Sequence, residues 1–273
     1  MTSASQSADG NDDACADTPA RLARAGLDWI VPAWDAPANV HAFVTTRNGG
    51  ISTGVHATLD LGASDNPPER AAAAAGNRRR VQRFLPSPPR WLTQVHGHDV
   101  VEIGASAPHA VPRADASVTR DAGVVLAIRV ADCMPVLLAQ RDGSVIGAAH
   151  AGWRGLAGGV VERTLDAMRC AANEVLAWLG PAIGRTAFEV GTDVYDAFVR
   201  HDPGADAHFT PLRAGKWLAD LDGLARRRLA RAGVTSIVSS GLCTYRDPAR
   251  FFSYRRDGAS GRMAAFAWRT ERA

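Results

Sequence analysis

Two histidines and one cysteine stand out because each follows an apolar, strand-like stretch of the sequence. They are His96 in the segment QVHG, Cys133 in ADCMP and His150 in HAGWRG. Imidazole nitrogen and thiolate sulfur are donors that zinc prefers, and three protein ligands leave a fourth position open for water or substrate. The three segments therefore predict a mononuclear metal site held by these three side chains.

Other interpretations of the same residues are open at this point. A buried histidine is often a hydrogen-bonded core residue, and a cysteine within an apolar run often only packs. Cys133 could also be the nucleophile of a cysteine hydrolase, with one histidine as its base and no metal. A measurement of bound metal would distinguish the metal enzyme from the metal-free cysteine hydrolase. The signature motifs of P-loop enzymes, serine hydrolases, HExxH metalloproteases and zinc deaminases are absent from the sequence.

Two glycine-rich turns carry arginines and could bind an anion. Arg154 lies among glycines where a helix is expected to begin, and Arg47 and Asn48 follow a strand candidate in the segment TRNGG. Backbone N–H groups at a helix start, with an arginine beside them, suit a phosphate group. The turns therefore predict phosphate contacts from Arg47, Asn48 and Arg154, although two solvated turns would have the same spacing.

The bulk composition argues against several classes of protein. The 273 residues are 46% hydrophobic and 22% charged, with a formal net charge of +3. No run of about 18 apolar residues and no secretory signal pattern is present, so a cytoplasmic protein without a membrane span is expected. The arginines are spread among acidic residues rather than clustered, which argues against nucleic-acid binding. The four cysteines form no CxxC pair, so free thiols or metal ligands are expected instead of a disulfide framework.

The pattern of apolar segments predicts an α/β (α+β) fold with mixed β-sheet layers covered by helices, in one catalytic domain over residues 21–273. Residues 1–20 are small, polar and acidic, and are expected to form a disordered tail. The strand candidates are residues 40–46, 123–130, 135–139, 144–149, 175–179, 235–239 and 262–268. The helix candidates are residues 67–84, 156–172, 192–200 and 217–232.

Taken together, the motifs resemble those of the YfiH-like family, which is also called the laccase-domain or multicopper polyphenol oxidase family. The resemblance runs from about residue 25 to the C-terminus with the motifs in order, and HAGWRG together with ADCxP is its most specific part. The matching motifs are TRNGG at 46–50, QVHG at 94–97, ADA at 114–116, ADCMP at 131–135, HAGWRG at 150–155, GPAIG at 180–184, CTY at 243–245 and FFSYRRDG at 251–258, followed by Gly261-Arg262.

The resemblance implies a YfiH-like domain with zinc, or alternatively copper, at His96, Cys133 and His150. It also implies phosphorolysis of adenosine, inosine and methylthioadenosine to free base plus ribose 1-phosphate, and deamination of adenosine through a metal-bound water. Purine nucleoside and phosphate are then the expected partners of a monomer or homodimer. The laccase label fits poorly, because a multicopper oxidase needs paired HxH motifs and this chain has eight histidines with one HxH.

The resemblance leaves a second enzymatic class open, namely an amide hydrolase that edits peptidoglycan precursors with the same metal centre. Motifs do not separate the two, because both would use the same metal ligands and arginines. A non-catalytic zinc protein is less consistent with the sequence, because structural zinc sites usually have four protein ligands.

Asp115 and Asp132 are the candidate residues for proton transfer in the implied reactions, and Arg154, a candidate phosphate contact, is the third candidate catalytic residue. Asp132 adjoins a predicted ligand, so orienting a metal-bound imidazole is an equally good role for it. One segment departs from the family pattern. Asp60 replaces an asparagine, and a histidine expected near Ala63 is missing, which puts substrate contacts from that loop in doubt.

Overall fold

Twelve strands and seven α-helices form within residues 18–62, 67–107 and 110–271, the part of the chain that this computed structural model describes. The strands are Val40–Val44 (β1), Val100–Glu102 (β2), Ala116–Thr119 (β3), Leu126–Val130 (β4), Met134–Gln140 (β5), Ile146–Ala151 (β6), Val175–Leu179 (β7), Glu189–Gly191 (β8), Phe209–Arg213 (β9), Lys216–Ala219 (β10), Ser236–Ser239 (β11) and Met263–Arg269 (β12). The helices are Thr18–Arg24 (α1), Pro68–Gln82 (α2), Trp153–Ala157 (α3), Val160–Met168 (α4), Thr192–Val199 (α5), Leu221–Arg231 (α6) and Tyr254–Asp257 (α7), with 3-10 turns at Gly54–His56, Ala172–Glu174 and Pro203–His208.

The largest sheet has six strands in the order β11-β7-β5-β6-β3-β2 and mixes parallel with antiparallel pairs. The β7–β11 and β2–β3 pairs are parallel, and the pairs around β5 and β6 are antiparallel. Strands β5 and β6 are apolar along almost their whole length because both faces of this sheet are covered. One face packs against α4 and α6, through side chains such as Val161, Leu165 and Leu224.

The opposite face of the six-stranded sheet packs on a second sheet, in the order β1-β12-β4. Leu137 and Trp178 of the first sheet join Ile128 and Ala265 of the second in one buried cluster. The far side of the second sheet is covered by α1 and α2 in a further cluster. The layers therefore run helices, sheet, sheet, helices, which confirms the predicted class of mixed sheets covered by helices.

The helix predicted over residues 217–232 is wrong in its first part. Trp217 lies in β10, which pairs with β8 and β9 in a third small sheet. Helix α6 begins only after Asp220, whose carboxylate accepts a hydrogen bond from the N–H of Gly223 at 3.0 Å and caps the helix. Apolar residues at the strand–helix junction match helical spacing by chance, and the capping aspartate marks the true start.

The helix predicted over residues 156–172 is also divided, into α3 and α4. Gly159 separates them with a φ of 95°, a left-handed conformation that a right-handed helix does not contain. Helix α4 then ends at Met168, because Arg169 has a φ of 50°. Glycine 159 was therefore the sequence signal for the break.

The predicted N-terminal tail falls largely outside the described residues, as do Cys15 and residues 63–66, where the family histidine is missing. Residues 18–20 are an exception, because they form the first turn of α1, in which Thr18 is buried. The division into a tail and one domain over 21–273 stays a prediction. None of the helices in the described ranges has the length and apolar character needed to cross a bilayer.

Candidate metal centre

The side chains of His96, Cys133 and His150 meet in one cluster. Their possible ligand atoms lie within 4.8 Å of one another, and the two imidazole rings have centroids 4.9 Å apart at an interplanar angle of 72°. Tetrahedral zinc with two nitrogen ligands and one sulfur ligand would place these atoms about 3.5 Å apart. The cluster is therefore of a size that one ion can draw together with small side-chain movements.

Strand register brings these residues together. His150 pairs with Pro135 of β5, so that Cys133, two residues earlier in the chain, lies beside it. On the other side of β6, Asp115 immediately precedes β3, and its backbone oxygen accepts a hydrogen bond from the N–H of His150 at 2.7 Å. His96 is held in the loop before β2 by a hydrogen bond from its N–H to Asp115 Oδ1 at 2.9 Å.

The Asp115 carboxylate holds two of the three donors in place through hydrogen bonds to His150 and to the backbone around His96. It is fully buried, and its oxygens accept hydrogen bonds from Nδ1 of His150 at 2.8 Å and from the N–H groups of Val95, His96 and Gly97 at 2.8 to 3.1 Å. Burial alone would raise the pKa of this carboxyl. The hydrogen bonds from His150 and from the backbone lower the pKa by more than burial raises it, so that it lies below its usual value. Because Nδ1 of His150 is bound, Nε2 is the nitrogen left to ligate a metal.

The backbone around the cluster adopts conformations that few residues tolerate. His96 and Asp132 have φ values of 61° and 86°, in the left-handed region that is uncommon for residues other than glycine. Gly152 has no such φ, but a Cβ there would lie 2.8 Å from Sγ of Cys133 and 3.3 Å from Cδ2 of His96. The absence of a side chain at 152 therefore keeps open the space beside the sulfur.

The charges of the cluster favour the thiolate form of Cys133, which is the form that binds a metal ion. Burial raises the pKa of the Cys133 thiol, but the charge of His150 and hydrogen bonds from His150 and His96 lower it to about 6. Burial lowers the pKa of His150, whereas the Cys133 thiolate and Asp115 raise it to about 9. Without metal, the neutral-pH pair is thus thiolate and imidazolium, and a metal cation would take the place of the imidazolium proton.

We expect chelator-treated protein to be alkylated by iodoacetamide at Cys133 with a half-maximal rate near pH 6, because the thiolate that reacts forms above its lowered pKa of about 6. Cys170 is an internal control, since burial raises the pKa of its thiol. Mass spectrometry of both sites over a pH series measures the two profiles. Identical profiles for Cys133 and Cys170 would contradict the expectation, and added zinc should protect Cys133 alone.

A cavity of about 690 Å³ opens onto the cluster, which is within the range usual for small-molecule sites. The Arg154 guanidinium lies over the Trp153 ring at 4.3 Å and has no hydrogen bond or ion pair to any residue of the described ranges. It is therefore available to an anion. The other charged and aromatic residues of the wall are Arg129, Asp132, Phe188, Tyr254, Arg255 and Arg262.

Asp132 lines this cavity and forms hydrogen bonds to three other segments of the chain around it. Its Oδ1 accepts a hydrogen bond from the Thr244 hydroxyl at 2.6 Å, and Oδ2 accepts one from the N–H of Arg255 at 2.7 Å. Its backbone oxygen accepts a third from the N–H of Ile183 at 2.9 Å. Each carboxylate oxygen therefore accepts one hydrogen bond and keeps a further lone pair that could accept a proton.

The structure does not bring Arg47 and Asn48 to the cavity. The Arg47 guanidinium donates to the backbone oxygens of Ala57 and Pro248, both at 2.9 Å, and lies over the ring of Phe252 at 4.7 Å. The Asn48 amide donates to Asp28 Oδ2 at 3.0 Å and to a backbone oxygen of the 248–250 segment. Their contacts connect loops, and the phosphate role predicted for them stays a prediction without support from their position.

A second cavity of about 210 Å³ adjoins the first, at the carboxyl ends of the parallel strands β7 and β11. Ile183 belongs to the walls of both cavities and is 4% exposed. Cys243, the cysteine of the CTY motif, lines the second cavity, where its sulfur accepts a hydrogen bond from the N–H of Gly184 at 3.2 Å. It does not line the cavity of the candidate metal centre.

Sequence reasoning missed several residues of the site. Trp153 could have been found, because it adjoins Arg154 in the HAGWRG motif. Tyr254, Arg255 and Arg262 lie in the C-terminal motifs, but nothing in their spacing assigns them to this cavity. Phe188 lies in no motif, and only the folded chain brings it to the wall.

The chain is similar to known proteins over most of its length. The sequence profile of a family described as multi-copper polyphenol oxidoreductase laccase matches residues 41–270. A Pseudomonas aeruginosa protein named purine nucleoside phosphorylase is 48% identical over 241 residues, which cover 88% of this chain and 98% of the relative. The Escherichia coli protein named purine nucleoside phosphorylase YfiH is 47% identical over 246 residues, with the same coverage.

Solved structures show the same fold. The crystal structure of the Neisseria meningitidis protein NMB0706 matches with a TM-score of 0.85 and 46% identity, over 89% of this chain and all of that chain. The crystal structure of YlmD from Geobacillus stearothermophilus matches with a TM-score of 0.80 and 34% identity, over 86% of this chain and 93% of that chain. The matches therefore extend over nearly the full length of each known structure.

Proposed function

Because the chain belongs to the family described as multi-copper polyphenol oxidoreductase laccase, we propose that it is a purine nucleoside phosphorylase that acts at the His96–Cys133–His150 centre. Relatives that carry this name match almost the whole chain. The observation that carries the proposal is the shared cavity, whose wall contains both the three candidate metal donors and the unengaged guanidinium of Arg154. Such a cavity can hold an anion beside a polarised organic substrate.

The metal in this proposal is a single zinc ion, with copper as the alternative. The donor set fits zinc because the cluster offers two imidazoles and a thiolate, a carboxylate orients His150, and Gly152 leaves space beside the sulfur. Zinc bound there would act as a Lewis acid that activates water or polarises the base at neutral pH. One such donor cluster occurs in the described part of the chain, which favours a single-ion centre over a multicopper one.

Phosphorolysis places two demands on the protein. An oxygen of phosphate forms a bond to C1′ of the sugar, while the bond from C1′ to N9 of the purine breaks and its electron pair goes to the base. Phosphate must therefore be held against the sugar, and Arg154 supplies the cation for this. The base needs a surface to lie on, and Trp153, Phe188 and Tyr254 offer aromatic faces in the same cavity.

The finer parts of the proposal concern substrates. Adenosine, inosine and methylthioadenosine share the purine and the C1′–N9 bond, so that one cavity can serve all three. Deamination of adenosine, in which water adds at C6 and ammonia leaves, is proposed as a second activity of the same centre. Asp132 is the lining carboxylate for its proton transfers, whereas Asp115 acts through His150.

One observation favours a second candidate function. Cys133, His150 and Asp115 form a chain of thiolate, imidazolium and carboxylate, as in cysteine hydrolases. In that case Cys133 would attack a carbonyl carbon, and no metal would be required. Peptidoglycan-precursor amides and purine nucleosides should accordingly be assayed side by side, with and without chelator.

The phosphate assignment is tested by Arg154→Ala, with inosine as substrate and hypoxanthine release as the signal. We expect the KM for phosphate to rise about tenfold or more, because a charge-assisted contact is lost, and the KM for inosine to change much less. Arg163→Ala is the matched control, because Arg163 is an exposed arginine on α4 outside the cavity. An unchanged phosphate dependence would remove Arg154 from the proposal, and release without phosphate would indicate a hydrolase instead.

A further inference from the structure

A second arginine of the cavity is placed close to the metal-binding donors. Arg262 immediately precedes β12, whose first residue Met263 pairs with Val130 of β4. Strand β4 leads directly into Asp132 and Cys133, so Arg262 lies across the ladder from the segment that carries both. The negative charges of these two side chains act on the Arg262 guanidinium.

The hydrogen bonds of Arg262 leave one edge of its guanidinium open. Nη1 donates to the backbone oxygens of Ser260 and Gly261, both at 3.0 Å, and to the Ser260 hydroxyl at 3.1 Å. Nε and Nη2 have no acceptor in the described ranges. The ring of Tyr254 lies 5.9 Å from the guanidinium carbon. The edge formed by Nε and Nη2 is the one that binds two oxygens of a phosphate in parallel.

The carboxylates near Arg262 are already engaged. Asp60 is fully buried, and its Oδ1 accepts hydrogen bonds from the N–H groups of Gly62 and Arg262, both at 2.8 Å, while Oδ2 accepts from Nε of Arg70 at 2.8 Å. Both oxygens of Asp132 are bound as well. Asp60 thus fixes the backbone of Arg262 without occupying the open edge of its guanidinium.

We propose that Arg262 is a second phosphate-binding residue of the centre, and that its Nε and Nη2 grip two oxygens of the phosphate that Arg154 also contacts. The inference rests on the proposed phosphorylase function for the identity of the anion. A partly desolvated guanidinium with a free bidentate edge, in a cavity that holds a second unengaged arginine, suits a dianion better than a neutral nucleoside. The nucleoside then takes the aromatic part of the wall.

The test compares Arg262→Lys and Arg262→Ala with the wild-type chain. Lysine keeps the charge but cannot form the parallel pair of bonds, so we expect the KM for phosphate to rise about tenfold while the KM for inosine changes less than about twofold. Guanidinium chloride at low millimolar concentration should restore part of the phosphorolysis by Arg262→Ala, and urea at the same concentration should not. Arg163→Ala is the control and should show neither effect. Thermal unfolding curves identify any variant that fails to fold, in which case Arg262→Lys carries the test.

A direct measurement of phosphate binding tests this inference independently of the proposed function. Inorganic phosphate is titrated calorimetrically into the zinc-loaded protein without nucleoside. If phosphate binds more weakly to Arg262→Lys and the wild type does not phosphorolyse inosine, Arg262 would be supported as an anion-binding residue and the phosphorylase function would be rejected. Phosphorolysis by the wild type with an unchanged KM for phosphate in Arg262→Lys would reject the inference and leave the phosphorylase intact. Equal rises in the two KM values would also overturn it.

Discussion

Replacement of Cys133 by serine is expected to remove bound metal and nucleoside turnover together. A serine hydroxyl is not deprotonated at neutral pH and is a poor zinc ligand, so two imidazoles alone would remain. We expect zinc to fall from about one ion per chain to at most about one tenth of that, and turnover to fall about 100-fold or more. Elemental analysis of protein purified without added metal, together with inosine and adenosine assays, measures both.

Two comparisons make this result specific. Cys170→Ser should change neither quantity, because Cys170 lies outside the cavity. His96→Ala should lose metal and activity like Cys133→Ser, since His96 is a donor of the cluster but not part of the chain from Cys133 through His150 to Asp115. Activity that persists without metal and in His96→Ala, but disappears in Cys133→Ser, would favour the cysteine hydrolase and rule out the metal mechanism.

Replacement of Asp115 by alanine should produce the largest loss of stability of any single change in the site. Four N–H donors would lose a fully buried acceptor, and unfolding free energy should fall by about 3–5 kcal/mol. Zinc affinity should fall about 10- to 100-fold, because His150 loses the partner that orients it. Denaturant unfolding in the presence of chelator measures the first effect, and competition with a zinc chelator measures the second.

The pH dependence of the Asp115 effect has a definite sign. Hydrogen bonds to the carboxylate hold the pKa of Asp115 below its usual value despite burial. Its contribution to stability is therefore fully present above the unfolded pKa of about 3.9 and is lost as pH falls through the lowered folded value. The difference between wild type and Asp115→Ala should shrink only in strong acid. Asp121→Ala is the control, since Asp121 is exposed and accepts one backbone bond, and a comparable loss there would contradict the assignment.

The proximity of Cys133 and His150 could be predicted because each lies at or beside the end of an apolar strand, whereas His96 lies in a loop whose position the strand pattern does not fix. Residues that leave neighbouring strands at the same end of a sheet must lie close together, and the register of β5 and β6 shows this for Cys133 and His150. The same reasoning identified Asp115 as a site residue but not its role. Only the structure shows that it is buried under the cluster and accepts four hydrogen bonds there.

The binding arginines could not be selected from the sequence. Nearly all positive charge in this chain is arginine, so an arginine beside glycines carries little information by itself. Arg47 lies in such a turn, yet backbone oxygens occupy its guanidinium. Arg262 belongs to a C-terminal motif whose spacing indicates no site, yet it lines the cavity, and its Nε and Nη2 have no acceptor in the described ranges. Which arginine is engaged depends on contacts between segments far apart in the chain.

The strands that sequence reasoning missed are short or lie at sheet edges. Strands β8, β9 and β10 form a separate sheet, and most residues of β9 are exposed, so they lack the apolar pattern that marks a buried strand. Trp217 is held in β10 by stacking on Tyr195 with ring centroids 4.5 Å apart. A contact of this kind has no counterpart in local sequence spacing.

The partition between the two cavities offers a route to altered substrate size. Ile183 belongs to the walls of both the large cavity and its smaller neighbour, and its N–H donates a hydrogen bond to the backbone oxygen of Asp132. A smaller side chain at this position is expected to add space where the two cavities meet, without changing a donor, an arginine or an aromatic face. Redesign for bulkier purine analogues can therefore begin at residue 183, because a substitution there changes the cavity volume and leaves the residues proposed to bind metal, phosphate and base unchanged.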